Sequence, residues 1–547
     1  MAQAGQAAPG AGSAAGGARA VALLAAVVAV VQVATMPRFF YPGDNSIARV
    51  EARTLLERGS LGVPYDEAGA MRSQARGQYF YENDAKRTMY SKYGFGYTLL
   101  YLAPLAVARA IGADQEGTDG FLLVLNLFGA LLAVGTALYL YAIAGAVEPR
   151  PLARAAFVLL AIYPSFVWTY LRAPALEVFQ LFFFAAFCAH SLAFLREEAT
   201  PEAPARSSAS LAGATVAAGM LLLMRPTFAI LLPLLAAFAL ASGPRELPLA
   251  ERVRRNLRGE GARILALGFL APAAVLVGTW LVVNAVRTGS ALDTGYAQWT
   301  DATGRPVARF TASAVPAALA GFFFRIGNAN LFLHAPLVAL GAFGWPALFR
   351  RHRREAWFLA ATAAACVVPM LAASNWSGEW CYGPRYLVHP ALALSVPALL
   401  AWRALPRRRA VRRSAAALAA VVLGASLLLQ VEVNSAHWFA PQLAVSYAGG
   451  EEALERYAGA PRLRGLDVFL LKGFAARGDR FGPIDGALDA LPAPARPEAR
   501  EGVRRRVAGL LRPNWWFAGW LDPERPGIIR GLSSAAAVGS AGRAGAT

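Results

Sequence analysis

Two acidic residues and a set of cations stand where an apolar chain tolerates charge least. Asp44 follows the first apolar run, in Gly43-Asp44-Asn45-Ser46-Ile47-Ala48-Arg49, and Glu177 opens a later one, in Arg172-Ala173-Pro174-Ala175-Leu176-Glu177. Lys92, Arg225 at the break Met224-Arg225-Pro226, Arg325 and Arg385 mark the edges of others, and Trp380 lies beside Glu379 in a polar loop. Ionisable groups near hydrocarbon are expensive, so each is first a functional candidate. A carboxylate at the water boundary can take a proton from an attacking hydroxyl or amine. Planar guanidiniums match the oxygens of a phosphate and stabilise the charge that builds on it as it departs.

Each residue also has a structural reading. Asp44 suits the capping of a helix that begins near Ser46. Glu177 could cap its helix or accept a salt bridge from Arg172. Arg225 and Arg385 flank prolines at run ends, where snorkelling anchors are common. Trp376 and Trp380 fit an interfacial belt better than a platform for stacking a sugar. His190, His334 and His389 are single histidines on apolar stretches and read as structural.

The elements that must position these groups are membrane helices. Of 547 residues, 56% are hydrophobic and 16% charged, and the mean hydropathy is +0.41. With repeated apolar runs, this predicts an all-α polytopic membrane protein. About eleven spans are expected: 20–36, 121–145, 155–171, 175–195, 208–224, 226–241, 264–286, 331–349, 356–373, 386–401 and 414–433. The first is read as an uncleaved span, since Pro37-Arg38-Phe39-Phe40-Tyr41 and not a small-residue cleavage site follows it. The run 95–111 contains Pro104 and Arg109 and is expected to lie along the outer interface instead of crossing. Residues 1–19 are expected to be a disordered cytoplasmic tail, 20–433 the transmembrane domain, and 434–547 a C-terminal extramembrane tail or small domain.

Charge then orients the chain. The net charge of +19 concentrates in short loops and signals topology, not nucleic acid. Residues 244–263 hold six arginines, 350–355 four and 403–413 six, so all three are expected inside. The loop 374–384 has Glu379 and no lysine or arginine and is expected outside. A long first external loop, with juxtamembrane helices, then shares one face with residues 172–177, Arg225, Arg325 and Arg385. Glu51, Glu82 and Asp84 belong to that loop as well. Cys188, Cys366 and Cys381 are too few and too scattered for a disulfide framework or a metal cluster.

These residues resemble a known family. Asp44 followed by Ala52-Arg53-Thr54-Leu55-Leu56-Glu57-Arg58-Gly59 is similar to the acidic residue and juxtamembrane helix of the GT-C superfamily of membrane glycosyltransferases. Bacterial relatives of protein O-mannosyltransferase and of the lipid A aminoarabinose transferase share this opening. Tyr90-Ser91-Lys92-Tyr93-Gly94-Phe95-Gly96-Tyr97, Met224-Arg225-Pro226, the stretch from Phe324-Arg325-Ile326-Gly327 to Ala335-Pro336, and Gly383-Pro384-Arg385-Tyr386 follow in the same order. The resemblance covers residues 20–401, and it is the order of the motifs that carries it. Asn45 stands where many relatives have a second carboxylate.

The resemblance implies transfer of a sugar from a polyprenyl-phosphate donor to a glycan, lipid or protein acceptor at the periplasmic face of a bacterial inner membrane. Asp44 would be the general base of an inverting displacement. Lys92, Arg172, Arg225, Arg325, Arg385 and Trp380 would contact substrate, and Glu177 would orient hydroxyls or hold a divalent cation. No cofactor is certain. The rivals are a transporter or flippase of a lipid-linked glycan and a glycan polymerase or ligase. The first would place ionisable residues at mid-membrane in several spans, carry inverted repeats and break helices at Gly or Pro in matching positions of two halves; no internal repeat is visible, and the ionisable residues sit at run ends.

Overall fold

The computed structural model describes residues 11–37, 44–65, 80–83, 85–115, 118–172, 176–197, 204–244, 246–298, 310–376, 381–405, 408–436, 439–460, 462–511 and 515. It is built from helices. Helix α1 spans Ala11–Ala34, so it begins before the expected start of the first span, within the stretch expected to be a disordered tail. α2 is Asp44–Arg58, α3 Phe95–Ala110 and α4 Asp119–Gly145. Between α2 and α3 lies a three-stranded antiparallel sheet, order β1-β3-β2, of Val63–Pro64, Phe80–Asn83 and Thr88–Ser91. The sequence reading contained no strands. Aromatic and β-branched residues at Phe80, Tyr81, Thr88 and Tyr90 favour them, and Tyr81 stacks on Tyr90 across the pair with ring centroids 5.7 Å apart.

Among the described residues, seven helices are long and apolar enough to cross a bilayer: Gly16–Ala34, Asp119–Gly145, Leu176–Glu197, Ser207–Met224, Gly259–Thr288, Arg353–Ala372 and Arg409–Ser435. Four of the expected spans are instead shorter helices, three of them interrupted beside a proline. The run 155–171 splits into α5 (Pro151–Ile162) and α6 (Val167–Arg172) around Pro164. Beyond the break, the Phe166 amide donates to the His334 carbonyl at 2.9 Å instead of to its own helix. α7 (Leu176–Glu197) and α8 (Pro204–Met224) are continuous. The run 226–241 starts as a 3-10 turn, Pro226–Ile230, before α9 (Leu231–Leu240). α10 is Leu249–Asn256, and α11 (Gly259–Leu265) leads into α12 (Ala271–Thr288).

The run 331–349 divides at Ala335, which is held out of the helical region by Pro336, into α14 (Leu331–His334) and α15 (Pro336–Arg351), after the short α13 (Val315–Leu319). α16 is Arg353–Ala372. The run 386–401 divides before Pro397 into α17 (Val388–Ser395) and α18 (Ala398–Ala404). α19, Arg409–Ser435, is the last long helix. Its continuation folds as α20 (Ala440–Gly459, kinked at Gly449–Gly450), α21 (Arg464–Arg477), α22 (Gly482–Leu488) and α23 (Arg496–Leu510). These helices bury a core of their own, centred on Val445, Leu471, Phe474, Phe481, Ile484 and Val507.

Hydrogen bonds fix which helix ends share a face. Arg172 Nε donates to the Thr35 carbonyl at 2.5 Å, and its Nη1 to Asn434 Oδ1 at 3.2 Å. Asn126 Nδ2 donates to the Pro37 carbonyl at 2.8 Å, and the Arg49 guanidinium lies 5.8 Å from the centroid of Phe121. The ends of α1, α6 and α19 and the starts of α2, α4 and α7 are therefore together. α3 begins beside Met224, whose carbonyl accepts from the Gly94 amide at 3.2 Å, and ends next to the start of α4. It thus begins and ends near the same group of helix ends.

The opposite face is basic. Glu148 is buried there and accepts from Arg150 Nε at 2.8 Å and Nη2 at 3.1 Å, which holds its carboxyl below the usual carboxylate range. Arg403 Nη2 lies 4.0 Å from the same carboxylate. Arg196 Nη1 donates to the Gly145 carbonyl at 3.3 Å and Arg252 Nη1 to the Ala241 carbonyl at 2.9 Å. Arg354 donates to the Gly243 carbonyl. The arginine-rich loops thus gather away from Glu177 and Asp44.

Candidate active site

Glu177 lies in the first turn of α7 and is 3% exposed. Arg385 reaches it from 208 residues away, with Nε 2.5 Å from Oε1. Arg225 Nη2 approaches the same oxygen at 3.8 Å. The salt bridge expected from Arg172 is thus supplied by two other arginines. Arg172 itself is buried and spends its guanidinium on Thr35 and Asn434, which makes it a strut between helix ends.

Local sequence explains how the two guanidiniums are aimed. Arg225 precedes a proline and is extended, with φ −146° and ψ 126°, as the clash with the proline ring demands. α8 stops there and the side chain turns into the protein. Arg385 follows a turn in which Gly383 has φ +63°, a left-handed conformation open to glycine. Asn328 clamps that turn: its Oδ1 accepts from the Gly383 amide at 3.0 Å and its Nδ2 donates to the Cys381 carbonyl at 2.7 Å. The Tyr170 hydroxyl adds a bond to the Tyr382 carbonyl at 2.7 Å. Arg385 Nη1 also contacts Cys381 Sγ at 3.1 Å. Nothing in the sequence marked Asn328 or Tyr170, because their partners are backbone atoms distant in the chain.

The glycines of the Tyr93-Gly94-Phe95-Gly96-Tyr97 segment have a packing reason. A Cβ on Gly94 would lie 2.1 Å from the Leu223 carbonyl oxygen, so only glycine allows the start of α3 to meet the end of α8. This approach brings the buried Tyr97 hydroxyl to Arg225 and to Gln180, which donates to it. A small cavity opens beside this junction, lined by Lys92, Tyr93, Trp280, Asn284, Arg287 and Tyr296 among others. Lys92 is half-buried there, its ammonium 5.4 Å from the Tyr93 ring centroid. Close to Lys92, Glu51, expected on this face, forms an ion pair at 2.5 Å with Arg287, which nothing in the sequence marks.

The structure therefore brings Glu177, Arg225 and Arg385 into contact and places Lys92 in the cavity beside the α3–α8 junction. Arg325 is exposed at the end of the turn Ala320–Phe324, between exposed Phe324 and Ile326, and does not join Glu177. Trp376 is half-buried, packing its ring over Gly321 and edge-on to Phe322, 5.3 Å between centroids, against the apolar core. Asp44 is the first residue of α2, while its side chain, and Asp84, Glu379 and Trp380 entirely, lie outside the described residues. Among the described residues no group of three His, Cys, Asp or Glu side chains is placed to hold a metal ion. Glu177 does not fit a divalent cation: its carboxylate faces two guanidiniums, which would repel one.

No family model matches the sequence, and no curated protein matches it. Solved structures resemble it weakly. The oligosaccharyltransferase of Archaeoglobus fulgidus in its apo form is 14% identical, with a TM-score of 0.48 over 82% of this chain and 60% of the other. The chain thus spans under two thirds of that protein's length. ArnT from Cupriavidus metallidurans bound to undecaprenyl phosphate is 16% identical, with a TM-score of 0.45 over 95% of this chain and 77% of the other. Scores below 0.5 at these identities carry no argument about fold or activity, so the chain is similar to these enzymes without being assigned to their family by the likeness.

Proposed function

We propose that this protein is a membrane glycosyltransferase that moves a sugar from a polyprenyl-phosphate donor to an acceptor. The observation that carries the reading is the convergence of Arg225 and Arg385 on one buried point, at the face where α2 begins with Asp44. Arginine's planar fork suits the oxygens of a lipid phosphate. The residue order shared with GT-C enzymes supports the same assignment.

In this reading Asp44 takes the proton of the acceptor hydroxyl or amine as it attacks the anomeric carbon. The bond from that carbon to the phosphate oxygen breaks, configuration inverts, and the lipid phosphate leaves with an added negative charge. Arg385, Arg225 and Lys92 hold that charge. Glu177 acts on the cations: bonded to Arg385, it sets the direction of the guanidinium. Ionisable clusters at helix ends, not mid-helix, favour an enzyme over a transporter.

The chain would cross the membrane eleven times, with α5–α6, Pro226–Leu240, α14–α15 and α17–α18 serving as broken crossings beside the seven long helices. Its basic face would be cytoplasmic and its Glu177 face periplasmic, in a bacterial inner membrane. Single cysteines introduced at residues 112–115 or 118–120, which border the same face as Glu177 and are not buried, are expected to react with a membrane-impermeant maleimide from outside, and those at 246–263 only after permeabilisation. Labelling of 112–115 and 118–120 from the cytoplasm alone would dismantle the site.

The donor class has a direct test. Purified protein in proteoliposomes should transfer sugar from a polyprenyl-phosphate sugar and be inactive with the corresponding nucleotide sugar. Efficient transfer from the nucleotide sugar without lipid phosphate would assign a different enzyme class.

A further inference from the structure

Glu51 is a buried carboxylate that the reaction above does not use. It has no solvent exposure, and each of its oxygens is engaged. Oε1 accepts from the Ser91 amide at 2.6 Å and from Arg287 Nη2 at 2.5 Å. Oε2 accepts from Thr98 Oγ1 at 3.0 Å. Arg287, 3% exposed, in turn donates from Nη1 to the Tyr93 carbonyl at 3.0 Å. One ion pair thus joins α2, the end of the third strand, the first turn of α3 and the end of α12.

The bonds fall on either side of one residue. Ser91 is held by Glu51 and Tyr93 by Arg287, and Lys92 lies between them. The backbone there is crowded as well, since a Cβ on Gly295 would lie 2.8 Å from the Ser91 carbonyl oxygen and 2.9 Å from that of Lys92. Lys92 is therefore a long, flexible side chain on a rigidly fixed backbone, at the rim of the cavity lined by Trp280, Asn284 and Tyr296. A buried ion pair is a weak source of net stability, since desolvation offsets its attraction, and its best-attested use is to specify one arrangement. Here the arrangement specified is the position of a cation.

We propose that Glu51, through Arg287, is a positioning residue for binding of a lipid phosphate: the pair fixes the backbone of Lys92 so that its ammonium meets the phosphate at this cavity. This rests on the reading of Lys92 as a donor-binding cation. It differs from a general structural role in that its effect must pass through Lys92.

A double-mutant cycle on the full-length protein in lipid–detergent micelles tests it, with the Kd for undecaprenyl phosphate as readout and thermal melting as the fold control. The paired variant Glu51→Gln with Arg287→Gln removes both charges and orphans neither. Arg287→Lys keeps the buried pair charged and disturbs only its geometry, which keeps the test usable if the paired variant does not fold. Lys92→Ala and the paired variant should each raise the Kd about tenfold, the scale of one charge-assisted hydrogen bond. Arg287→Lys should give a smaller rise. In the Lys92→Ala background neither change should weaken binding further. If Lys92→Ala leaves the Kd at the wild-type value, the donor reading of this cavity is wrong and the positioning role falls with it. If Lys92→Ala weakens binding while the Glu51 and Arg287 variants do not, or the losses multiply, the positioning role alone is overturned.

Discussion

Asp44→Asn is expected to leave the protein folded, inserted and able to bind lipid phosphate, and to remove nearly all sugar transfer. Asp44 is the first residue of α2, and asparagine serves a helix start about as well as aspartate. The lost attraction between a carboxylate and the helix N-terminus is worth only about 0.3–1 kcal/mol at an exposed site. Removing a general base, by contrast, costs roughly a hundredfold to ten-thousandfold in rate. The substitution therefore separates the two readings of this residue. Turnover should fall by that factor while the melting temperature and the Kd for undecaprenyl phosphate stay near wild type. An Asp44→Asn protein with wild-type turnover would reduce the residue to a helix-start group and withdraw the mechanism.

Arg385→Ala should produce the second large effect. Arg385 is the cation bonded directly to Glu177, and in the proposed reaction it meets the departing phosphate. Loss of one preorganised donor to a developing oxyanion typically lowers kcat by about a hundredfold to a thousandfold. A stability cost accompanies it: breaking one side of a buried ion pair is worth about 3–5 kcal/mol in the limit of full burial. The cost here should be smaller, because the Arg385 side chain is 17% exposed and Arg225 remains within 3.8 Å of the carboxylate. Arg385→Lys provides the control. It retains the charge and most of the stability but cannot present two N–H groups in a plane, so it should recover melting temperature more fully than kcat. Equal recovery of both would make Arg385 a structural partner of Glu177 and nothing more.

The cations of the proposed site were legible one by one. Each cation was marked by a local anomaly: Arg225 by the proline after it, Arg385 by the Gly383-Pro384 turn before it, Lys92 by the flanking aromatic and glycine residues. The glycines proved to be packing residues, since Gly94 meets the Leu223 carbonyl with no room for a side chain. What misled was uniform apolarity. Hydropathy could not show that runs such as 155–171 or 386–401 are broken, because a proline interrupts the helix without changing the average.

By itself the sequence determined the helical membrane class of the protein, the placement of its arginine-rich loops apart from Asp44 and Glu177, and which cations the proposed site could draw on. Those properties are local: hydropathy, loop charge and the residue types at run ends are summed along the chain. The partners of the charged groups are decided by tertiary structure alone. Glu177 could have paired with Arg172, a few residues away, yet it is bonded to Arg385 across 208 residues, while Arg172 ties Thr35 to Asn434. Glu51 found Arg287 across 236 residues. A buried carboxylate must be paired and hydrogen-bonded, but which guanidinium reaches it depends on how the helices pack, and no spacing in the sequence encodes that.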